Sequence, residues 1–323
     1  MKITALAGGV GASKLLLGLT RAMDPRDLTV IVNTGDDIVL HGLYICPDLD
    51  IVTYTLAGSV NPQTGWGLAG DTFHTLKALA RYSGEQWFNL GDRDLATHIH
   101  RTEMLWRGQS LSQVTDEIRS EWGVASRILP MCEHPVPTTM LTSLGELHFQ
   151  EYLVRHRAEP MILDIRFEGI EAARPAPGVL EELRDAEGIL ICPSNPLISI
   201  GPILAVPGIR EILWERREHC VAVSPLVSGK SLKGPSDKML AECLIDPTSC
   251  GIAHLYEDVA SVLVIDPADS PLCPDILARG IRPVLLPSVM RTDADKEGLA
   301  RGLLSLFREC AAARGEGFAC RPF

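Results

Sequence analysis

The first fourteen residues, Met1-Lys-Ile-Thr-Ala-Leu-Ala-Gly-Gly-Val-Gly-Ala-Ser-Lys14, pass from an apolar strand through a glycine turn into a helix, and this order constrains the fold more than any other segment. Residues 3 to 7 read as a short buried strand. Gly8, Gly9 and Gly11 let the backbone turn and approach a ligand closely, and a helix is predicted to begin at Ser13. The free N–H groups of such a helix start point into the turn, where a pyrophosphate can bind. Gly9-Val-Gly11-Ala-Ser-Lys14 follows the dinucleotide fingerprint G-x-G-x-x-G with lysine in place of the third glycine, and it lacks the Gly-Lys-Ser/Thr end of a P-loop. A lysine at that position indicates extra negative charge to neutralise. The competing reading is a tight strand-to-helix turn with a surface lysine.

The 323 residues are 46% hydrophobic and 22% charged, with 5% aromatic, a balance that fits an α/β enzyme and argues against disorder. The net charge of -11 sets nucleic acid and anionic membranes aside as partners, so an anionic ligand has to be held by a local pocket or a metal ion. With no signal peptide and no apolar run of spanning length, the expected location is the cytoplasm. Nine cysteines without a C-x-x-C pair read as reduced thiols.

A second apolar run, residues 28 to 33, completes a β-α-β unit and predicts parallel strands. From about residue 60 the pattern changes to amphipathic helices, predicted over 71–81, 93–107 and 110–122. Strand-like pieces follow at 127–131, 138–142 and 147–155. After Pro175 the βα alternation resumes and continues to a helix predicted over 294–309. The fold class expected is therefore α/β, a doubly wound and mostly parallel sheet of Rossmann-like three-layer form. A single nucleotide-binding domain spans residues 1–323, interrupted by a mixed helical and β insertion at about 60–170.

In such a sheet the informative loops follow the strands. Strand two ends in Asn33-Thr-Gly-Asp36-Asp37; two adjacent carboxylates exceed what a ribose needs and read as ligands for Mg²⁺, against the alternative of a solvent-facing Asp-Asp turn. Asp48 and Asp50 share one side if their segment is extended, and can take metal or accept a proton from an attacking hydroxyl. Ser194, Asn195 and Ser199 lie in a loop of small polar residues and prolines suited to a base, ribose or phosphate. Residues 224–231 nearly match a P-loop but carry Ser224 and Pro225 where flexibility is needed, which leaves Lys230 and Lys233 as contacts for an anionic tail. Arg93, near a helix start, can fork onto a carboxylate, a phosphate or a heterocycle carbonyl. His98 and His100, two apart on a helix, make a poor metal pair and read as ordinary histidines.

Five blocks occur in an order that resembles the 2-phospho-L-lactate transferases of coenzyme F420 biosynthesis: Ala7 to Lys14; Val32 to Asp37 with Pro47 to Asp50; Leu90 to His98; Pro193 to Pro196 with Ser199 to Pro202; and Val223 to Pro225 with Gly234-Pro235. The resemblance covers nearly the whole chain. It implies a transferase of substituted phosphate groups that moves a phospholactyl group, or a phosphoenolpyruvyl or phosphoglyceryl group, from a guanosine diphosphate conjugate to the ribityl hydroxyl of the deazaflavin Fo. GMP leaves, and F420-0 or dehydro-F420-0 forms. Carried onto this sequence, Gly8, Gly9, Gly11, Ser13 and Lys14 cradle the diphosphate, with Ser194, Asn195 and Ser199 completing the nucleotide pocket. Asp36 and Asp37, with Asp48, hold Mg²⁺ or Mn²⁺. Asp48, Asp50 and Arg93 face Fo, and Asp36, Asp37 and Asp50 are the catalytic candidates. Fo is a substrate and not a cofactor, and a homodimer is expected. The rivals are a nicotinamide dehydrogenase, disfavoured by Lys14 and Asn33; a kinase, disfavoured by the missing P-loop; and a non-enzymatic nucleotide-sugar-binding regulator of the gluconeogenesis-factor type.

Overall fold

The computed structural model describes residues 1–83 and 86–315. Its core is a parallel sheet of seven strands, here β1 (Ile3–Ala7), β2 (Leu28–Val32), β3 (Arg127–Pro130), β4 (Gly188–Ile191), β5 (Cys220–Val223), β6 (Val262–Ile265) and β7 (Arg282–Leu285). They lie in the order β7-β6-β5-β4-β1-β2-β3, and every neighbouring pair is parallel. Strands buried on both faces read as continuous apolar runs, which is why Ile3–Ala7 and Leu28–Val32 were legible. Successive side chains still alternate. Leu6, Ile31 and Ile191 pack into the core on one face, and Ala5, Val30, Val32 and Leu190 into the core on the other.

The strand order reverses direction between β1 and β4, and their carboxyl ends are nearly flush: Ala7 sits opposite Val32, and Leu6 opposite Ile191. The loops after β1, β2 and β4 therefore open at one place, the crevice where a doubly wound sheet takes its ligand.

The glycine turn is tighter than the sequence indicated. Helix α1 runs from Gly9 to Ala22 with Gly8 at its N-cap, so Gly9, Gly11 and Ser13 are helical. The segment expected to be extended is also a helix, α2 (Pro47–Leu56), with Pro47 at its first position. The predicted insertion is split, because β3 returns to pair with β2 at the sheet edge. Between β2 and β3 lie α3 (His74–Ser83), α4 (Asp94–Trp106) and α5 (Leu111–Glu121), the last closed by the Ser110–Gln113 capping box. Between β3 and β4 stands a small antiparallel sheet of Thr138–Thr142, Gly145–His148 and Ile162–Phe167. Residues 151–155, predicted as strand, form a π-helical turn instead. The final helix, Asp293–Gly315, packs along α1. Among the described residues no single helix is long and apolar enough to cross a membrane.

Candidate functional site

Beyond the carboxyl ends of β1, β2 and β4 lies a cavity of about 770 Å³ whose walls carry opposite charge. Its floor is the glycine turn. A Cβ on Gly8 would stand 2.6 Å from Asp48 Oδ2, and one on Gly11 only 2.4 Å from the Pro193 carbonyl oxygen, so both positions must be glycine for the segments after β1, β2 and β4 to close. Ser194 Oγ locks that junction, donating to the Gly8 carbonyl at 2.8 Å and accepting from the Gly8 N–H at 3.3 Å.

One wall is acidic. Asn33, fully buried at the end of β2, points its amide at Asp36 Oδ1 and Asp48 Oδ2, each at 2.9 Å. Asp48 also accepts the Gly9 N–H at 2.8 Å. Burial pushes the Asp48 carboxyl up to about 6. Asp36 is held well above its ordinary value by burial and by the charge of Asp48. The two carboxylates thus share one neutral donor. Asp50, in the same first turn of α2, is gripped by both terminal nitrogens of Arg101 on α4, one of them 3.1 Å from Asp50 Oδ2. Burial opposes the Arg101 charge, yet the Asp50 carboxylate holds the guanidinium above its usual range. His98 Nδ1 lies 3.7 Å from Asp50 Oδ2 and its Nε2 3.4 Å from Asp94 Oδ2, while the Tyr54 hydroxyl donates to Asp94 Oδ1 at 2.7 Å.

The opposite wall is basic. Lys14, half-buried in the second turn of α1, and Lys233, in the loop after β5, both line the cavity with Arg291 at its rim. Lys14 Nζ donates to the Met290 carbonyl at 3.4 Å and Lys233 Nζ to the Thr64 carbonyl. Lys230 turns away to pair with Asp237 at 3.3 Å.

Gly8, Gly9, Gly11, Lys14, Asp36, Asp48, Asp50, Ser194, Asn195 and Ser199 all line this cavity, as the sequence led one to expect. Three expected residues do not. Ser13 is buried inside α1, its hydroxyl donating to the Val10 carbonyl at 3.0 Å, because the helix starts four residues earlier than predicted. Asp37 turns behind the wall, where its Oδ2 accepts from the Cys46 thiol at 3.1 Å and burial raises its carboxyl well above the ordinary range. Arg93 is exposed, and its guanidinium donates to the Ala69 carbonyl at 3.1 Å. The Asp36, Asp37 and Asp48 trio is accordingly not assembled, and among the described residues no group of three His, Cys, Asp or Glu side chains is arranged to hold a metal ion. Asn195 lines the cavity with its side chain already committed: its Oδ1 accepts the Leu197 N–H at 2.9 Å and its amide donates to Met239 Sδ at 3.2 Å.

Sequence reasoning missed Asn33, Arg101, Tyr54 and Asp94, and read His98 as ordinary. Arg101 lies three residues after His98, hence on the same face of α4, a spacing that offered a signal. Its partner, 51 residues earlier, offered none.

A glycine turn, a buried carboxylate pair and two lysine ammonium groups meet in one crevice at the switch point of an α/β fold. The family model "2-phospho-L-lactate transferase CofD" matches residues 3–273, and the chain belongs to this family. It is 43% identical to a phosphoenolpyruvate transferase of Streptomyces coelicolor over 97% of this chain and all of that one. To a phosphoenolpyruvate transferase of Mycobacterium tuberculosis it is 41% identical, over 82% of this chain and 86% of that one. The crystal structure of a UPF0052-family protein from Bacillus halodurans shares the fold, with a TM-score of 0.59 at 16% identity over 94% of this chain and 98% of that one.

Proposed function

We propose that this transferase moves a phospholactyl, phosphoenolpyruvyl or phosphoglyceryl group from a guanosine diphosphate conjugate to the ribityl hydroxyl of Fo, in the biosynthesis of coenzyme F420. The observation that carries the reading is that the glycine turn and the Asp36–Asp48 pair face one cavity at the switch point of the sheet, in a chain of this family. In the reaction the acceptor oxygen forms a bond to the phosphorus bearing the three-carbon acid, the bond from that phosphorus to GMP breaks, and the hydroxyl proton passes to the carboxylate wall. Phosphoryl transfer needs alignment and charge stabilisation more than a covalent nucleophile, and the cavity offers no activated serine or cysteine.

The donor diphosphate belongs at the start of α1, where the turn presents backbone N–H groups and Lys14 adds charge. Fo belongs between the core and α4, against Asp50 as Arg101 holds it. Two buried carboxylates with hard oxygens, sharing only a neutral amide, fit a divalent cation such as Mg²⁺ or Mn²⁺, which Asp36 and Asp48 would hold. When bound, that cation would neutralise charge on the donor phosphates.

The test is a fluorescence titration of Fo, with and without donor and Mg²⁺, followed by an assay for GMP release. Binding of Fo and donor-dependent GMP release support the transferase. Retention of a nucleotide sugar with no binding of Fo would overturn it in favour of the regulator. Light scattering checks the expected homodimer.

A further inference from the structure

We propose that Lys233 is a specificity-determining residue of this site, reading the carboxylate of the three-carbon acid that the donor carries, while Lys14 answers its diphosphate. The inference rests on the functional reading above and extends it to a part of the donor that plain GDP lacks.

Two ammonium groups from distant parts of the chain converge on the basic wall. Lys14 is fixed to the α1 start, where helix N–H groups already favour phosphate. Lys233 arrives from the loop after β5 and lines the same cavity as Lys14; partial desolvation, and after it the charge of Lys14, lowers its pKa. Like charges brought together without a counter-ion are unfavourable. The four carboxylates that line the cavity are engaged elsewhere, Asp36 and Asp48 by Asn33, Asp50 by Arg101 and Asp94 by Tyr54 and His98. Among the described residues the only acceptors recorded for these lysines are backbone carbonyls, Met290 for Lys14 and Thr64 for Lys233. A backbone carbonyl is a resting partner that an anion can displace, because an ammonium–carboxylate contact adds the attraction of opposite charges to the hydrogen bond.

Counting charge separates the two roles. A diphosphate at the turn is answered by the helix start, by Lys14 and by the cation expected at Asp36 and Asp48. Every donor considered carries one further anion, the carboxylate of lactate, pyruvate enol or glycerate; of the two further cations that line the cavity, Lys233 and Arg291, Lys233 is the one bonded to the segment that carries Trp66 and Gly67. Lys230, in the same loop after β5, cannot take this role because it is paired with Asp237. Lys233 also donates to the segment that brings Trp66 and Gly67 to the cavity, so it stands where the core meets the insertion, the side from which the acceptor would approach the reacting phosphorus.

The experiment is calorimetry in Mg²⁺ buffer with two probes, lactyl diphosphoguanosine and the same conjugate with its carboxylate converted to the primary amide. Wild type is expected to bind the carboxylate conjugate at least tenfold more tightly than the amide. Lys233→Gln should bind both with the amide's affinity, Lys233→Arg should restore part of the preference, and Lys14→Gln should weaken both conjugates by a similar factor. Unchanged circular dichroism and melting separate these effects from misfolding, and an unfolded Lys233→Gln leaves the wild-type and Lys233→Arg comparisons to decide. A preference that survives in Lys233→Gln, or equal binding of the two probes by wild type, overturns the inference alone. Failure of wild type to bind either conjugate or GDP overturns the functional reading together with it.

Discussion

On the acidic wall every one of these carboxylates has a donor: Asn33 shared by Asp36 and Asp48, the Gly9 amide for Asp48 again, Arg101 for Asp50. On the basic wall Lys14 and Lys233 end on backbone carbonyls and have long flexible stems. One side is organised before any ligand arrives, by side chains at 0–6% exposure; the other is left to organise around the ligand. The difference teaches where each kind of mutation should register. Changes to the acidic wall alter the folded state itself, and changes to the basic wall alter only what the cavity binds.

Removing the guanidinium from the acidic wall is the strongest way to break this contrast. Arg101→Ala leaves Asp50 buried and uncompensated, and chemical denaturation should show a loss of about 3–5 kcal/mol. Arg101→Lys, which keeps charge but not the two-pronged grip, should lose less. A loss below about 1 kcal/mol for the alanine variant would mean that the ion pair does not hold this wall. Next in size, Asp36→Asn and Asp48→Asn should each lower turnover about a hundredfold or more, roughly 3 kcal/mol in the barrier, with the denaturation midpoint unchanged or raised. Asp37→Asn should retain most activity, because Asp37 faces Cys46 and not the cavity. Equal losses in all three variants would return Asp37 to the site.

A pH titration sharpens the same contrast without mutation. An acid whose pKa is higher in the folded chain than in the unfolded one holds more protons when folded, so rising pH removes stability. Asp48, pushed up to about 6 from an ordinary 3.8, should make the metal-free protein less stable as pH rises between about 4 and 6, by an amount on the order of 1–3 kcal/mol. Melting curves with and without Mg²⁺ check this, with greater protection by Mg²⁺ at pH 7 than at pH 5. Protection independent of pH would remove Asp48 from cation binding. The smallest effect is expected at Arg93. Its side chain is exposed and bonds a loop carbonyl, so Arg93→Ala should change stability and Fo affinity by no more than about 0.5 kcal/mol. A tenfold loss of Fo affinity would show that Arg93 swings into the cavity on binding.

What the sequence disclosed follows from how locally each element is determined. The strands β1, β2, β4, β5 and β6 were legible because parallel strands in a three-layer sheet are short apolar runs, whatever they pair with. The start of α1 was misplaced because glycine weakens a helix locally, while the close approach of Gly11 to Pro193, which favours the helical path, is tertiary. Pro47 was a signal read too lightly, since proline at the first position of a helix is common and α2 begins there. The helix carries Asp48 and Asp50 from one side of an expected strand to nearly opposite faces of its first turn, although both still reach the cavity. Ile162–Phe167 and Ser249–Tyr256 were missed, the first a half-exposed strand with broken alternation and the second a short helix rich in small residues. At the site the carboxylates and glycines were visible as residue types in strand-end loops. Their partners were not: an amide bridging Asp36 and Asp48, or an arginine reaching Asp50 from another helix, exists only once the elements are packed.

Asn33 decides to whom the two carboxylates are available. Asparagine is nearly the only side chain of its size that can donate to two anions while adding no charge of its own. A lysine in its place would neutralise one carboxylate permanently and compete with any incoming cation. An aspartate would add a third negative charge, which in so buried a position would be met by taking up a proton. The amide therefore works as a placeholder. It keeps Asp36 and Asp48 apart and aimed while leaving them without a charged partner, so in the proposed cation site the affinity would be set by a residue that need never touch the ion.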